Sequence, residues 1–133
     1  MALVLADGGE AIALNYLVNK VTTQEDLVLR LYTNDITPGE TDTAATYTQA
    51  SGNGYSAISL TGATWTISGT APTQAAYPEQ TFTFTGALGN VYGYYIVRAS
   101  TLDLVWSERF TAAPFNVQNN GDTIKITPVI TMS

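Results

Sequence analysis

Three carboxylates, Asp35, Glu40 and Asp42, fall within eight positions on the segment Thr33-Asn34-Asp35-Ile36-Thr37-Pro38-Gly39-Glu40-Thr41-Asp42. Hard oxygen ligands on a flexible loop are what Ca²⁺ takes. The spacing matches no EF-hand, and aspartates at turns commonly cap backbone amides, so a solvated turn is the expected reading. Histidine is absent from the chain. Triads built on histidine are therefore impossible, and acid–base work at neutral pH would fall to a carboxylate, lysine or tyrosine with a shifted pKa. A glycosidase-like pair depends only on distance in the fold. Yet eleven carboxylates scattered over turns are also what any acidic surface shows. The expectation is a protein that is not an enzyme and takes no cofactor.

Other chemistry is equally sparse. Cysteine is absent, which removes disulfides, thiolate metal sites and thiol catalysis, and fits synthesis in a reducing cytoplasm. The loops Gly52-Asn53-Gly54 and Gly86-Ala87-Leu88-Gly89-Asn90 carry no lysine and lead into no helix, so they do not read as phosphate cradles. Five basic residues against a net charge of −6 argue against nucleic acid as a partner. No apolar run approaches the roughly 20 residues that span a bilayer. The opening Met1-Ala2-Leu3-Val4-Leu5-Ala6-Asp7 lacks the basic start of a secretory signal, which predicts use without export. Sugar binding is a rival: loop aromatics on a β scaffold can stack on sugar rings, and Tyr47, Tyr55 and Tyr77 are the aromatics expected on loops.

The elements that would position these groups are mostly strands. Threonine occurs 21 times, and its β-branched side chain suits a pleated surface. One helix is expected over residues 10–20, with Ala13, Leu14 and Leu17 on its packing side and Glu10 and Lys20 matching its dipole. About seven or eight short strands follow. Leu27, Leu29 and Leu31 alternate with Val28, Arg30 and Tyr32; Tyr55–Leu60 and Trp65–Ile67 are shorter; Phe82 and Phe84 alternate with Thr81, Thr83 and Thr85. Val91–Arg98 and Leu104–Phe110 form a hairpin, and Asn119-Asn120-Gly121-Asp122 is a turn before Ile124 and Ile126. Two long loops are expected, over residues 34–53 and 68–78. The reading is all-β, an antiparallel sandwich or jelly roll with a short N-terminal helix. It is one domain over residues 1–133, with 1–9 a frayed terminus or an arm and 26–132 the sandwich.

The segment Val91-Tyr92-Gly93-Tyr94-Tyr95-Ile96-Val97-Arg98 is apolar on both faces. A two-layer protein buries one face of each sheet. The second face here is covered either by the N-terminal helix or by another protein chain. Tyr92, Tyr94, Tyr95, Trp106 and Phe110 are accordingly the candidate interface anchors, since such side chains bring area at small entropic cost. Glu108 and Arg109 are strand neighbours and must point to opposite faces, so they cannot pair with one another. An exposed strand edge or an interchain ion pair would accommodate them.

Three segments also carry a resemblance. They are Leu14-Asn15-Tyr16-Leu17; Leu27-Val28-Leu29-Arg30-Leu31-Tyr32-Thr33-Asn34 leading to Thr37-Pro38-Gly39-Glu40; and Val91-Tyr92-Gly93-Tyr94-Tyr95, Trp106-Ser107-Glu108-Arg109-Phe110, Asn119-Asn120-Gly121-Asp122 and Ile126-Thr127-Pro128. Together they resemble small structural proteins of tailed bacteriophages. The resemblance implies a virion component made in the host cytoplasm, most readily a head decoration (cement) protein that joins other copies as a dimer or trimer and binds major capsid or other virion proteins. A tail, neck or fibre-associated part is the alternative it leaves open. It implies no catalytic residue.

Overall fold

The computed structural model describes residues 3–18, 20 and 24–132. Met1 and Ala2 of the expected terminal segment and Asn19 of the expected helix lie outside the described residues. In chain order the elements are β1 (Val4–Leu5), α1 (Asp7–Leu17), β2 (Leu27–Tyr32), β3 (Ile58–Leu60), β4 (Thr66–Ser68), β5 (Thr73–Ala76) and β6 (Gln80–Thr83). Then come β7 (Gly89–Val91), β8 (Gly93–Arg98), β9 (Leu104–Arg109), β10 (Phe115–Val117), β11 (Thr123–Ile126) and β12 (Val129–Met132). All the pairings are antiparallel. The chain is an all-β fold with one short N-terminal helix.

Two bent hairpins build it. β7 and β8 run on through Tyr92 and return as β9 and β10, so one ribbon belongs to two sheets. Its β8–β9 half sits at the centre of a five-stranded sheet ordered β1-β9-β8-β2-β3. The second ribbon pairs β5 and β6 with β12 and β11, and the Tyr77 N–H to Pro128 carbonyl bond (2.9 Å) carries the pairing across the gap. β4 widens the β5 end to three strands.

Period-2 patterning decides which side chains meet. On β6, Phe82 points inward with Phe84 just beyond the strand, while Thr81, Thr83 and Thr85 are exposed, as the alternation predicts. On β11, Ile124 and Ile126 are buried and Thr123 and Lys125 exposed. These four apolar side chains meet Leu29, Leu31, Tyr94 and Ile96 from the five-stranded sheet. Full burial of each such side chain stabilises the fold by about 1.5–3 kcal/mol. The turn before β11 is held by the Asp122 carboxylate, which accepts the Gln118 and Asn119 N–H groups at 2.9 Å each.

Several expectations need correction. Residues 4–9 are not a free arm: Val4 and Leu5 pair with Ser107 and Trp106, and α1 begins at Asp7. The helix ends at Leu17 with no basic residue in its last turn; Lys20 follows, its N–H closing on the Asn15 carbonyl at 2.9 Å. The buried side of α1 is Gly9 and half-buried Ile12, while Ala13, Leu14 and Leu17 face outward. Gly9 decides this, because a Cβ there would run into the Val105 carbonyl, so only a glycine lets α1 lie on β9. The segment 68–78, expected as a loop, contains β5, and β10 was hidden behind Pro114.

Candidate functional site

The outer face of the five-stranded sheet is covered by the chain's own loop. β2 and β8 turn Val28, Tyr32, Tyr95 and Val97 to this side, where they meet Ile36, Ala44 and Tyr47 of the 33–50 segment, together with Ala6 and Leu104. The helix does not cover them; it lies beside β9. The loop closes on itself: the Asn34 side chain donates to the Thr46 carbonyl (2.9 Å) and accepts from the Thr48 N–H (2.8 Å). The Thr33 N–H reaches the Thr48 carbonyl at 2.9 Å. Ends this close make a compact Ω-type loop that packs with its own side chains.

Tyr47 is its anchor. Its ring stacks on Tyr95 (centroids 5.0 Å, 15° between planes) and leans on Tyr32 at 4.9 Å. Its hydroxyl lies 2.7 Å from the Ser107 hydroxyl and donates to Asp42 at 2.7 Å. Gly93 makes room for this cluster, since a Cβ there would strike the Glu108 carbonyl and the Tyr32 ring. Burial raises the Tyr32 pKa to about 12, with Arg109 opposing the shift. Burial also pushes up Tyr47, with Asp42 adding to it and the Ser107 hydrogen bond offsetting part. Tyr94, on the inner face, is raised by burial and then by Glu108; Tyr95, on the outer face, is raised by burial against the pull of Arg30.

Ser107, Tyr47 and Asp42 stand in a hydrogen-bonded line, the order a nucleophile, base and orienting group would need. Ser107 is 1% exposed, and a phenol with a raised pKa is a poor base at neutral pH. The line is a clasp closed to any substrate.

The structure separates the three loop carboxylates. Asp42 is taken by Tyr47 and by the Gly39 N–H (2.8 Å); Asp35 pairs with Arg109 at 2.8 Å; Glu40 is exposed, and its carbonyl accepts the Asp7 N–H (2.9 Å). Among the described residues no group of three acidic side chains is placed to hold a metal ion. Arg109 also donates to the Ile36 carbonyl (2.9 Å) and lies over the Tyr92 ring at 5.1 Å. Arg109 and Glu108 do point to opposite faces, but the ion pair lies within the chain; β1 pairs with β9 at Trp106 and Ser107 and stops short of Glu108.

The five candidate anchors divide. Tyr94, Tyr95 and Trp106 are buried in the chain's own cores, and Tyr92 and Phe110 are half-buried. The three loop tyrosines also turn inward: Tyr47 and Tyr77 are buried, and the Tyr55 hydroxyl accepts from the Leu31 N–H at 3.3 Å. Tyr55 is half-buried and stacks on Phe82 with ring centroids 5.8 Å apart.

What stays open is apolar and lies elsewhere. α1 exposes Leu14 (61%) and Leu17 (80%), and Val18 just beyond it is 68% exposed. Beside it a groove of about 390 Å³ runs between α1, β1 and β12, lined by Leu3, Ile12, Trp65, Ile130 and Met132 among others. Ala13 and Tyr16 belong to its wall, so groove and helix form one continuous surface. Arg98 pairs with Glu25 at 2.7 Å, Arg109 with Asp35, and Arg30 bonds Tyr95, which leaves only Lys20 and Lys125 exposed. Sequence reasoning found the stripe Ala13–Leu14–Leu17 but assigned it to the core. The missed signal was that α1 has a second apolar stripe, Gly9–Ile12–Tyr16, and one of the two had to face out.

Comparison with known proteins gave no match, whether to family models, to curated proteins or to solved structures.

Proposed function

We propose that this chain is a non-enzymatic structural protein of a tailed-bacteriophage virion, a head decoration or cement subunit that reinforces the shell. The observation that carries the reading is the continuous apolar surface of α1 and its adjoining groove, on a chain whose charged residues make up only 12% against about 25% in ordinary domains. Contiguous exposed apolar surface of this kind marks a protein contact. The scaffold behind it suits a subunit under load, because both faces of the central strands are packed and the tyrosine clasp locks the outer one. A subunit that binds only the assembled lattice stabilises that lattice by mass action, with no reaction to run.

The test is a particle that lacks the subunit. Virions assembled without it should release DNA at lower temperature or lower osmotic stress, and adding the purified protein back should restore their toughness. Particles equally tough without it would overturn the proposal.

A further inference from the structure

We propose that Asn53 is a covalent modification site, where the side-chain amide is lost to the backbone nitrogen of Gly54 and aspartate or isoaspartate is left behind. The inference stands on the chemistry of one turn and is independent of a role in a virion.

Two Asn-Gly pairs occur in the chain, Asn53-Gly54 and Asn120-Gly121, and both lie on exposed turns. A glycine after asparagine has no side chain to crowd the approach of its nitrogen to the amide carbon. The step balances with water as its only co-reactant. Gly54 N gives its proton to solvent and bonds to the Asn53 Cγ. The Cγ–Nδ2 bond then breaks, and ammonia leaves with a proton taken back from solvent. Water opens the resulting five-membered imide at either carbonyl, which gives aspartate or isoaspartate.

The structure treats the two pairs differently. Gly52 to Tyr55 form a turn closed by the Tyr55 N–H on the Gly52 carbonyl at 3.0 Å. Asn53 at φ 49° and Gly54 at φ 81° make it the type I′ form, for which Asn-Gly is favoured. Among the described residues no acceptor meets the Gly54 N–H, so the attacking nitrogen is open to solvent base. The leaving amide is held by one bond at the surface, from Nδ2 to the Ala87 carbonyl at 2.5 Å.

At the second pair the attacking nitrogen is engaged. The Gly121 N–H donates to the Phe84 carbonyl (2.8 Å), and the Phe84 N–H returns to the Asp122 carbonyl (2.9 Å). The Asp122 carboxylate braces the same turn through the Gln118 and Asn119 N–H groups. Freeing the Gly121 nitrogen requires these bonds to open together, and an amide in such a unit meets solvent only on opening. Asn53 needs one exposed side-chain bond to break. It is therefore the site that reacts in the folded chain.

Conversion has a structural effect. It removes the donor to Ala87 and sets a carboxylate against that carbonyl, and isoaspartate adds a methylene to the backbone of the turn. Tyr55, which stacks on Phe82, is carried by this turn.

Peptide mapping by mass spectrometry tests this on the full chain, incubated for days in mildly alkaline buffer with and without urea. In urea both pairs should convert at similar rates. In the folded chain Asn53 should convert about tenfold faster than Asn120, the factor that one further backbone hydrogen bond is worth. The acidic species that ion exchange resolves should unfold at lower urea, and Asn53→Ser should not form it. Equal rates at the two sites in the folded chain, faster reaction at Asn120, or an Asn53 that reacts only in urea overturns the inference.

Discussion

The Tyr47 hydroxyl lies 2.7 Å from that of Ser107, a contact between residues 60 positions apart that holds a surface loop against the outer face of the central sheet. That one bond explains why a strand apolar on both faces is not left bare. It also sets the first prediction. Tyr47→Phe leaves the buried Ser107 hydroxyl without this partner and should cost about 1–3 kcal/mol. Tyr47→Ala should cost about 3–5 kcal/mol, because the stacked ring is lost as well. Adding Ser107→Ala to Tyr47→Phe should cost less than the sum of the two singles, read as urea midpoints at constant m value.

Alkaline pH should release the same clasp. Tyr32, Tyr47, Tyr94 and Tyr95 all have pKa values above the usual tyrosine value near 10. The folded state therefore holds these protons more tightly than the unfolded chain. Their contribution to stability is complete below about pH 10 and is lost as pH rises through the folded values. Near-ultraviolet phenolate titration should show this group ionising above the usual tyrosine range, together with unfolding.

Two adjacent glycines should respond in opposite ways. Gly9→Ala drives a methyl group into the Val105 backbone and should destabilise by about 1–3 kcal/mol while loosening α1. At Gly8 the nearest atom to a new Cβ is the Leu104 carbonyl oxygen at 3.4 Å, so Gly8→Ala should be neutral or gain up to about 1 kcal/mol from helix propensity. Thermal unfolding of both variants checks the pair.

At Arg109 the partners are unequal. Asp35 is 67% exposed, so Asp35→Asn should change stability by less than about 1 kcal/mol. Arg109→Ala also loses the bond to the Ile36 carbonyl and the contact with Tyr92, and should cost about 1–3 kcal/mol. Raising the salt concentration should shrink the first effect and hardly touch the second.

Legibility followed the range of the interaction. The β8–β9 hairpin, the Phe82/Phe84 face and the Asn119–Asp122 turn were readable because alternation and turn chemistry are local. The helix was readable as a helix, but not which of its stripes packs, since that depends on Gly9 meeting Val105 on a strand far along the chain. The 34–53 loop was readable as a loop. Its role was not, because Tyr47 finds Tyr95 and Ser107 only in the folded chain. β5 and β10 are short, and β5 begins one residue after Pro72, so neither showed a pattern.

A chain that serves as a repeated part of a particle must be present there in many copies. On the proposed reading of the chain as a phage virion subunit, quantitative mass spectrometry of purified particles tests this most directly. Copies in the hundreds, in fixed proportion to the major shell protein, are the predicted result; the chain's absence from those particles would contradict it.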